Sequence, residues 1–173
     1  MRLFVSLLCA TALSAVSWPA QVEVGSAQLG LRGSERFSWL WYTVYDVALH
    51  LPAATPREQA LAEVPRQLSF RYLRAFSAAE LAKATTKTVE ERIGVAPRYE
   101  IDPGVRSINT LWPSVVKGDE LVLGYVPGTG TTVTHNGRIL GTVPGAAFSA
   151  VLFSIWIGSE PIDDDLRDGL LGK

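Results

Sequence analysis

Three side chains are placed to do chemistry: Arg32, Arg36 and Tyr45, in and beside an apolar run over residues 36–51 that is rich in Trp, Tyr and Val. A guanidinium fork and a phenol can together hold one carboxylate or enolate oxygen in a dry cleft. The plainer alternative is a pair of surface arginines and a core tyrosine whose hydroxyl reaches water. The other candidates read as structural. His135 sits beside Asn136-Gly137, a hairpin turn. His50 falls on the even face of its strand. Asp163-Asp164-Asp165 are consecutive, so on a helix they point in different directions, and acidic residues are favourable at a helix N-terminus in any case. Gly128-Thr129-Gly130 lacks the lysine and following helix of a phosphate loop and is a turn. Trp39 and Trp41 have no basic residues interleaved and read as core.

The chain has 173 residues, 47% hydrophobic and 19% charged, with net charge −1. That composition excludes a disordered chain and disfavours nucleic-acid binding. A single cysteine and two histidines exclude an internal disulfide and a cysteine-based zinc site. No metal and no cofactor is expected.

Met1-Arg2, the apolar run 3–13 and the small residues Ala15-Val16-Ser17 have the three-part pattern of a secretory signal. We expect a signal peptide over 1–17, one domain over 18–173, and a periplasmic or secreted product. The uncharged run 145–157 is shorter than the ~20 residues a spanning helix needs. It reads as a buried helix, leaving no integral membrane span in the mature chain.

The elements that must position the candidate site follow from period and caps. Val22–Leu31 reads as a first strand. In 36–51 the odd positions Phe37, Trp39, Trp41, Tyr45, Val47, Leu49 and Leu51 give one apolar face, and sixteen residues exceed an ordinary strand, so a bend or bulge is expected. Thr55-Pro56-Arg57-Glu58 predicts a short helix to Val64, and Ser77-Ala78-Ala79-Glu80 a second helix by its capping box. Gln67–Arg74 alternates as a strand. Ser107–Val116 is a further helical candidate. Glu120–Tyr125, Thr131–Thr134 and Arg138–Val143 form a meander, followed by the apolar helix and a last helix over Asp163–Leu171. The sum is α+β: an antiparallel β-sheet covered on one face by a layer of helices.

Several segments, taken in order, resemble one family. They are Gly33-Ser34-Glu35-Arg36, Thr43-Val44-Tyr45-Asp46-Val47-Ala48-Leu49, Lys117-Gly118-Asp119, Tyr125-Val126-Pro127-Gly128-Thr129-Gly130, Asn136-Gly137, Phe148 with Ile155-Trp156-Ile157-Gly158, and Leu166-Arg167 with Leu170-Leu171-Gly172. Together they resemble the bacterial chalcone isomerase-like proteins across almost the whole mature chain. The resemblance implies an open-faced sandwich with a ligand cleft between sheet and helices. It also implies one of two uses: cyclisation of a chalcone to a flavanone, or binding of a fatty acid with an arginine and a tyrosine at its carboxylate. The family arginine falls on Arg36, with Arg32 the alternative, and the family's threonine-or-tyrosine position falls on Tyr45, as in the binders. The isomerases' helix tyrosine falls on Leu81 and their threonine-methionine pair on Ile155-Trp156. Leucine and isoleucine donate no hydrogen bond, and each lost donor in a dry site costs ~10²–10³ in rate. The expectation is an exported, non-enzymatic protein that holds a fatty acid or similar small amphiphile at Arg36, Tyr45 and Arg32. The alternatives are an intramolecular lyase, and an envelope interaction protein whose cleft is filled by Trp39, Trp41 and Trp156.

Overall fold

The alternating runs fold as a simple meander. The computed structural model describes residues 16–92 and 98–173; the segment expected as a signal peptide over 1–17 lies outside them except for its last two residues. Seven strands, β1 (Gln21–Val24), β2 (Ala27–Trp39), β3 (Tyr42–Leu51), β4 (Arg66–Tyr72), β5 (Glu120–Val126), β6 (Gly130–His135) and β7 (Arg138–Val143), form one antiparallel sheet in sequence order. Among the described residues four α-helices accompany it: α1 (Ala78–Glu90), α2 (Arg98–Asn109), α3 (Ala146–Ile157) and α4 (Asp164–Leu170). The chain is thus α+β, with a curled sheet and its helices, as its pattern of elements predicts.

Burial explains the layering. Tyr45, Val47, Leu49 and Leu51 of β3 share one sheet face with Leu68, Phe70 and Tyr72 of β4 and with Leu121, Leu123 and Tyr125 of β5, and all join the helices in a single core. Helix α3 carries no charge and is apolar all round, which suits a helix enclosed by others. It packs against α1, α2 and α4, with Phe148, Leu152, Phe153, Ile155 and Ile157 buried. The capping box of α1 is present, with the Glu80 amide donating to Ser77 Oγ at 3.2 Å and the Ser77 amide to Glu80 Oε2 at 2.8 Å. Asp163 caps α4 by accepting from the Leu166 amide at 2.7 Å.

The opposite sheet face is partly closed by the curl. Val24 of β1 lies against Gly124, and Gly25 against Val126. The His50 ring is fully buried there with Nε2 2.8 Å from the Pro19 carbonyl; a carbonyl only accepts, so Nε2 carries the proton. The Trp18 ring lies 5.3 Å from the Arg71 guanidinium on the same side.

The division expected within 36–51 is present, and three sequence expectations are corrected. The run 36–51 is two strands joined at Leu40-Trp41, where Leu40 takes φ 55°. Strand Val22–Leu31 is likewise broken by a turn at Gly25, φ 62°. The helix expected over Thr55–Val64 is a single 3-10 turn at Arg57–Gln59, because proline stands at its cap and offers no side-chain acceptor. The third helix runs over Arg98–Asn109 rather than Ser107–Val116, and carries Pro103 and Gly104 inside it. Gly104 is there for packing: a Cβ at that position would stand within 2.8 Å of Phe148 Cβ on α3.

Gly33 is a sharper case. A Cβ on it would overlap the Gly169 carbonyl and come within 2.8 Å of the Leu170 carbonyl, both backbone atoms at the end of α4. Backbone cannot swing away as a side chain does, so the strand or α4 must shift. Gly33→Ala is expected to destabilise the fold by about 2 kcal/mol, read as a lower urea midpoint; an unchanged midpoint would show that α4 docks more loosely.

Candidate functional site

The helix-bearing sheet face does not meet α1 and α3 everywhere. Between them is a cavity of about 400 Å³. Its floor is Phe37 and Trp39 of β2, Val44 and Tyr45 of β3, Phe70 and Tyr72 of β4, and Leu121 and Leu123 of β5. Its walls are Glu80, Leu81, Ala84, Thr85 and Thr88 of α1, Ile155 and Trp156 of α3, and Phe76, Trp112 and Ile162 from connecting segments. The size and apolar lining are those of small-molecule sites. Among the described residues lining it there is no lysine, arginine or histidine.

Tyr45 stands at the centre of an aromatic wall. Its ring stacks on Phe37 at 5.2 Å and meets Phe70 and Tyr72 edge-on at 5.1 and 5.8 Å. Trp156 Nε1 donates to its hydroxyl oxygen at 2.9 Å. An indole N–H only donates, so Tyr45 Oη accepts there and its own O–H remains free to donate. Burial drives the Tyr45 pKa well above the ordinary phenol value, against the opposing pull of the Trp156 bond, and burial does the same to Tyr72. Both phenols are therefore neutral donors, unsuited to act as a base or a phenolate nucleophile near neutral pH. Glu80 is the one charged group in the lining. Its bonds from the Ser77 amide and hydroxyl hold its carboxyl below the usual range.

The three predicted site residues do not converge. Tyr45 lines the cavity. Arg36 lies on the other side of the sheet, opposite Asp46 in register, and grips that carboxylate through Nε at 2.6 Å and Nη2 at 3.0 Å. Arg32 is the extra residue of a β-bulge and donates to the Thr55 carbonyl at 2.7 Å, also away from the cavity. Two backbone irregularities decide this. The turn at Leu40-Trp41, continued in register from the Trp39–Tyr42 pair, would set Arg36 directly opposite Tyr45. The bulge at Val44 slips the pairing by one residue, so Arg36 faces Asp46 and Tyr45 faces Phe37. A one-residue slip reverses a side chain's face.

Trp39 and Trp41, expected in the core, are 62% and 77% exposed. With Leu40 at 70% they form the tip of the β2–β3 hairpin, and Trp39 reaches the cavity edge. Neither plugs the interior, and Trp156 is part of its wall. Leu81 and Ile155, where the resemblance expects hydroxyl-bearing residues, do line the cavity. Sequence reasoning missed Tyr72 and Trp112 as polar contributors. Tyr72 was legible as the third member of the Leu68, Phe70, Tyr72 alternation. Trp112 was hidden by its placement on a helix that ends before it.

Arg36→Ala separates the two possible roles of that residue. It leaves the nearly buried Asp46 without its bidentate partner, and Arg36 itself is half exposed. The expected loss is about 1–2 kcal/mol of stability, with ligand occupancy of the cavity unchanged. Loss of occupancy in a folded variant would return Arg36 to the site.

The fold and the cavity together define a class: an open-faced antiparallel sandwich with an apolar space beneath its helices. The chalcone isomerase-like family model matches residues 10–172, so the chain belongs to that family. Among solved structures, the fatty-acid binding protein AtFAP1 of Arabidopsis thaliana is similar, with TM-score 0.73 and 17% identity, over 91% of this chain and 92% of that one. A likeness at that identity shows the fold. No curated protein matches by sequence.

Proposed function

We propose that this protein is an exported, non-catalytic member of the chalcone isomerase-like family, of the bacterial type, that binds a fatty acid-like amphiphile between sheet and helices. The observation that carries the reading is the aromatic-walled cavity of about 400 Å³ with the free hydroxyl of Tyr45 in its wall. A space that large with an apolar lining costs dispersion contacts when empty, and an acyl chain would restore them. The similar plant structure, that of a fatty-acid binding protein, supports the same ligand class. Leu81 and Ile155 in the wall support binding without chalcone cyclisation.

The test is native mass spectrometry with lipid extraction on protein purified from the secreted or periplasmic fraction. An amphiphile of defined mass is expected, reduced at least tenfold in Leu81→Trp, which adds bulk to the wall. An empty wild-type cavity would count against the reading. Conversion of chalcone to flavanone above the spontaneous rate would remove its non-catalytic part. For export, the predicted signal ends at Ser17. N-terminal sequencing of the exported protein is expected to begin at Trp18, leaving the Trp18 and Pro19 contacts behind the sheet intact. A product retaining Met1 would refute this.

A further inference from the structure

We propose that the ligand's head is uncharged: a hydrogen-bond-accepting ester, alcohol or carbonyl group, or a carboxylic acid held in its protonated form, rather than a carboxylate. This rests on the amphiphile-binding reading and specifies its chemistry. The cavity offers donors without a countercharge. Tyr45 has its O–H free, Tyr72 adds a second phenol, and the buried Trp112 Nε1 has no partner among the described residues. Such a set suits an acceptor oxygen. It does not suit an anion, because moving a carboxylate out of water costs several kcal/mol unless a cation pairs with it.

The charges around the cavity are of the wrong sign for an anion. Glu80 lies in the lining and is ionised. Asp163, the cap of α4, is near enough for its charge to add to the upward push on the Tyr45 phenol. The arginines expected at the head are engaged elsewhere, Arg36 with Asp46 and Arg32 with the Thr55 carbonyl. Beyond the lining, Arg74 is a cation close to a lining residue, Phe76. Its guanidinium is stacked 4.5 Å over the Tyr42 ring and lies 6.0 Å from the Phe76 ring. Lys83 and Lys87 of α1 are exposed and outside the lining.

The experiment is a titration of delipidated full-length mature protein with three chain-matched probes: methyl dodecanoate, dodecan-1-ol and dodecanoate. Binding is read by calorimetry and by the fluorescence of the wall tryptophans. At pH 8 the ester or alcohol is expected to bind at least tenfold more tightly than dodecanoate. Dodecanoate affinity is expected to rise toward tenfold per pH unit from pH 8 to 6, as the protonated acid becomes available. Tyr72→Phe should weaken ester binding about threefold to tenfold and leave the order of the probes unchanged. Dodecanoate binding at pH 8 as tight as the ester, or insensitive to pH, overturns the proposal. So does loss of that binding on Arg74→Ala, which would identify a cation for the head. If none of the three probes binds, the amphiphile-binding reading itself fails, which is a separate outcome.

Discussion

Arg66→Ala is expected to lower stability by about 4 kcal/mol. Arg66 is fully buried at the start of β4, paired in register with Tyr125. Its guanidinium lies between the Tyr125 and Phe153 rings, 4.3 and 4.9 Å from their centroids. Nη1 donates to the Ala62 carbonyl at 2.7 Å and the Ala60 carbonyl at 3.3 Å, and Nη2 to Ser149 Oγ at 3.0 Å. One side chain therefore ties the β3–β4 connection to α3 across the core. No carboxylate pairs with it among the described residues, and burial pushes its pKa down to about 10, so it is still charged at neutral pH. Truncation leaves a cavity and unpaired buried carbonyls, each a known source of large losses. Arg66→Met keeps most of the volume beside the two rings and loses the hydrogen bonds and the guanidinium charge. It should recover about half. Urea unfolding followed by circular dichroism reads both. A loss below about 1 kcal/mol for Arg66→Ala would mean that the carbonyls find water, and that the guanidinium is not a tie.

The contrast between Arg66 and Arg36 shows what the sequence carries and what it hides. Arg66 shares the period-2 face of Leu68, Phe70 and Tyr72, so its burial was legible, though its partners 6 and 83 positions away were not. The elements with strong local signals fall where expected. The Ser77 box starts α1, Asn136-Gly137 makes the last hairpin with φ 48° and 79°, and the uncharged run makes the buried α3. Local chemistry suffices there because the side chains that set the conformation are the ones in the motif. The fold class follows from those elements.

The site was less legible, because its geometry turns on features with no local signature. The β2–β3 turn places Leu40, not glycine or asparagine, at φ 55°. A left-handed leucine costs about 1 kcal/mol and leaves no turn signal, so Trp39–Tyr42 reads as continuous strand. The bulge at Val44 is equally silent, since a β-branched residue is at home in any strand. The turn alone would bring Arg36 opposite Tyr45, and the bulge then moves it to the far face. Tyr45 alone was placed by its alternation with Val47, Leu49 and Leu51. Helix α2 was misplaced for a related reason: Pro103-Gly104 reads as a breaker, while in the structure Gly104 admits the Phe148 ring. Tertiary packing outweighs the local cost.

Alkaline pH should unfold this protein through its cavity wall, and Tyr72→Phe should protect it. Burial raises the pKa of both Tyr45 and Tyr72 well above the ~10 of an unfolded phenol. A group whose folded pKa is raised contributes stability that is fully present below the unfolded value and is lost as pH climbs above it. By pH 12 each phenol accounts for a loss on the order of 3 kcal/mol, and Tyr125, also raised by burial, acts in the same direction. Arg66 opposes them. Its pKa is lowered, so its buried charge costs stability at neutral pH and that cost is relieved as pH passes about 10. The net loss between pH 9 and 12 from Tyr45, Tyr72 and Arg66 is about 3 kcal/mol. Tyr72→Phe removes one of the titrating hydroxyls, and should shift stability at pH 8 by less than about 1 kcal/mol. Its loss between pH 9 and 12 should be smaller than the wild type's by roughly 2–3 kcal/mol. Urea midpoints at the two pH values, with tyrosinate absorbance followed in parallel, give the comparison directly. Equal alkaline losses in the two proteins would mean that the Tyr72 hydroxyl meets water in the folded state. The cavity would then be wet, and a dry site for an uncharged head would lose its physical basis.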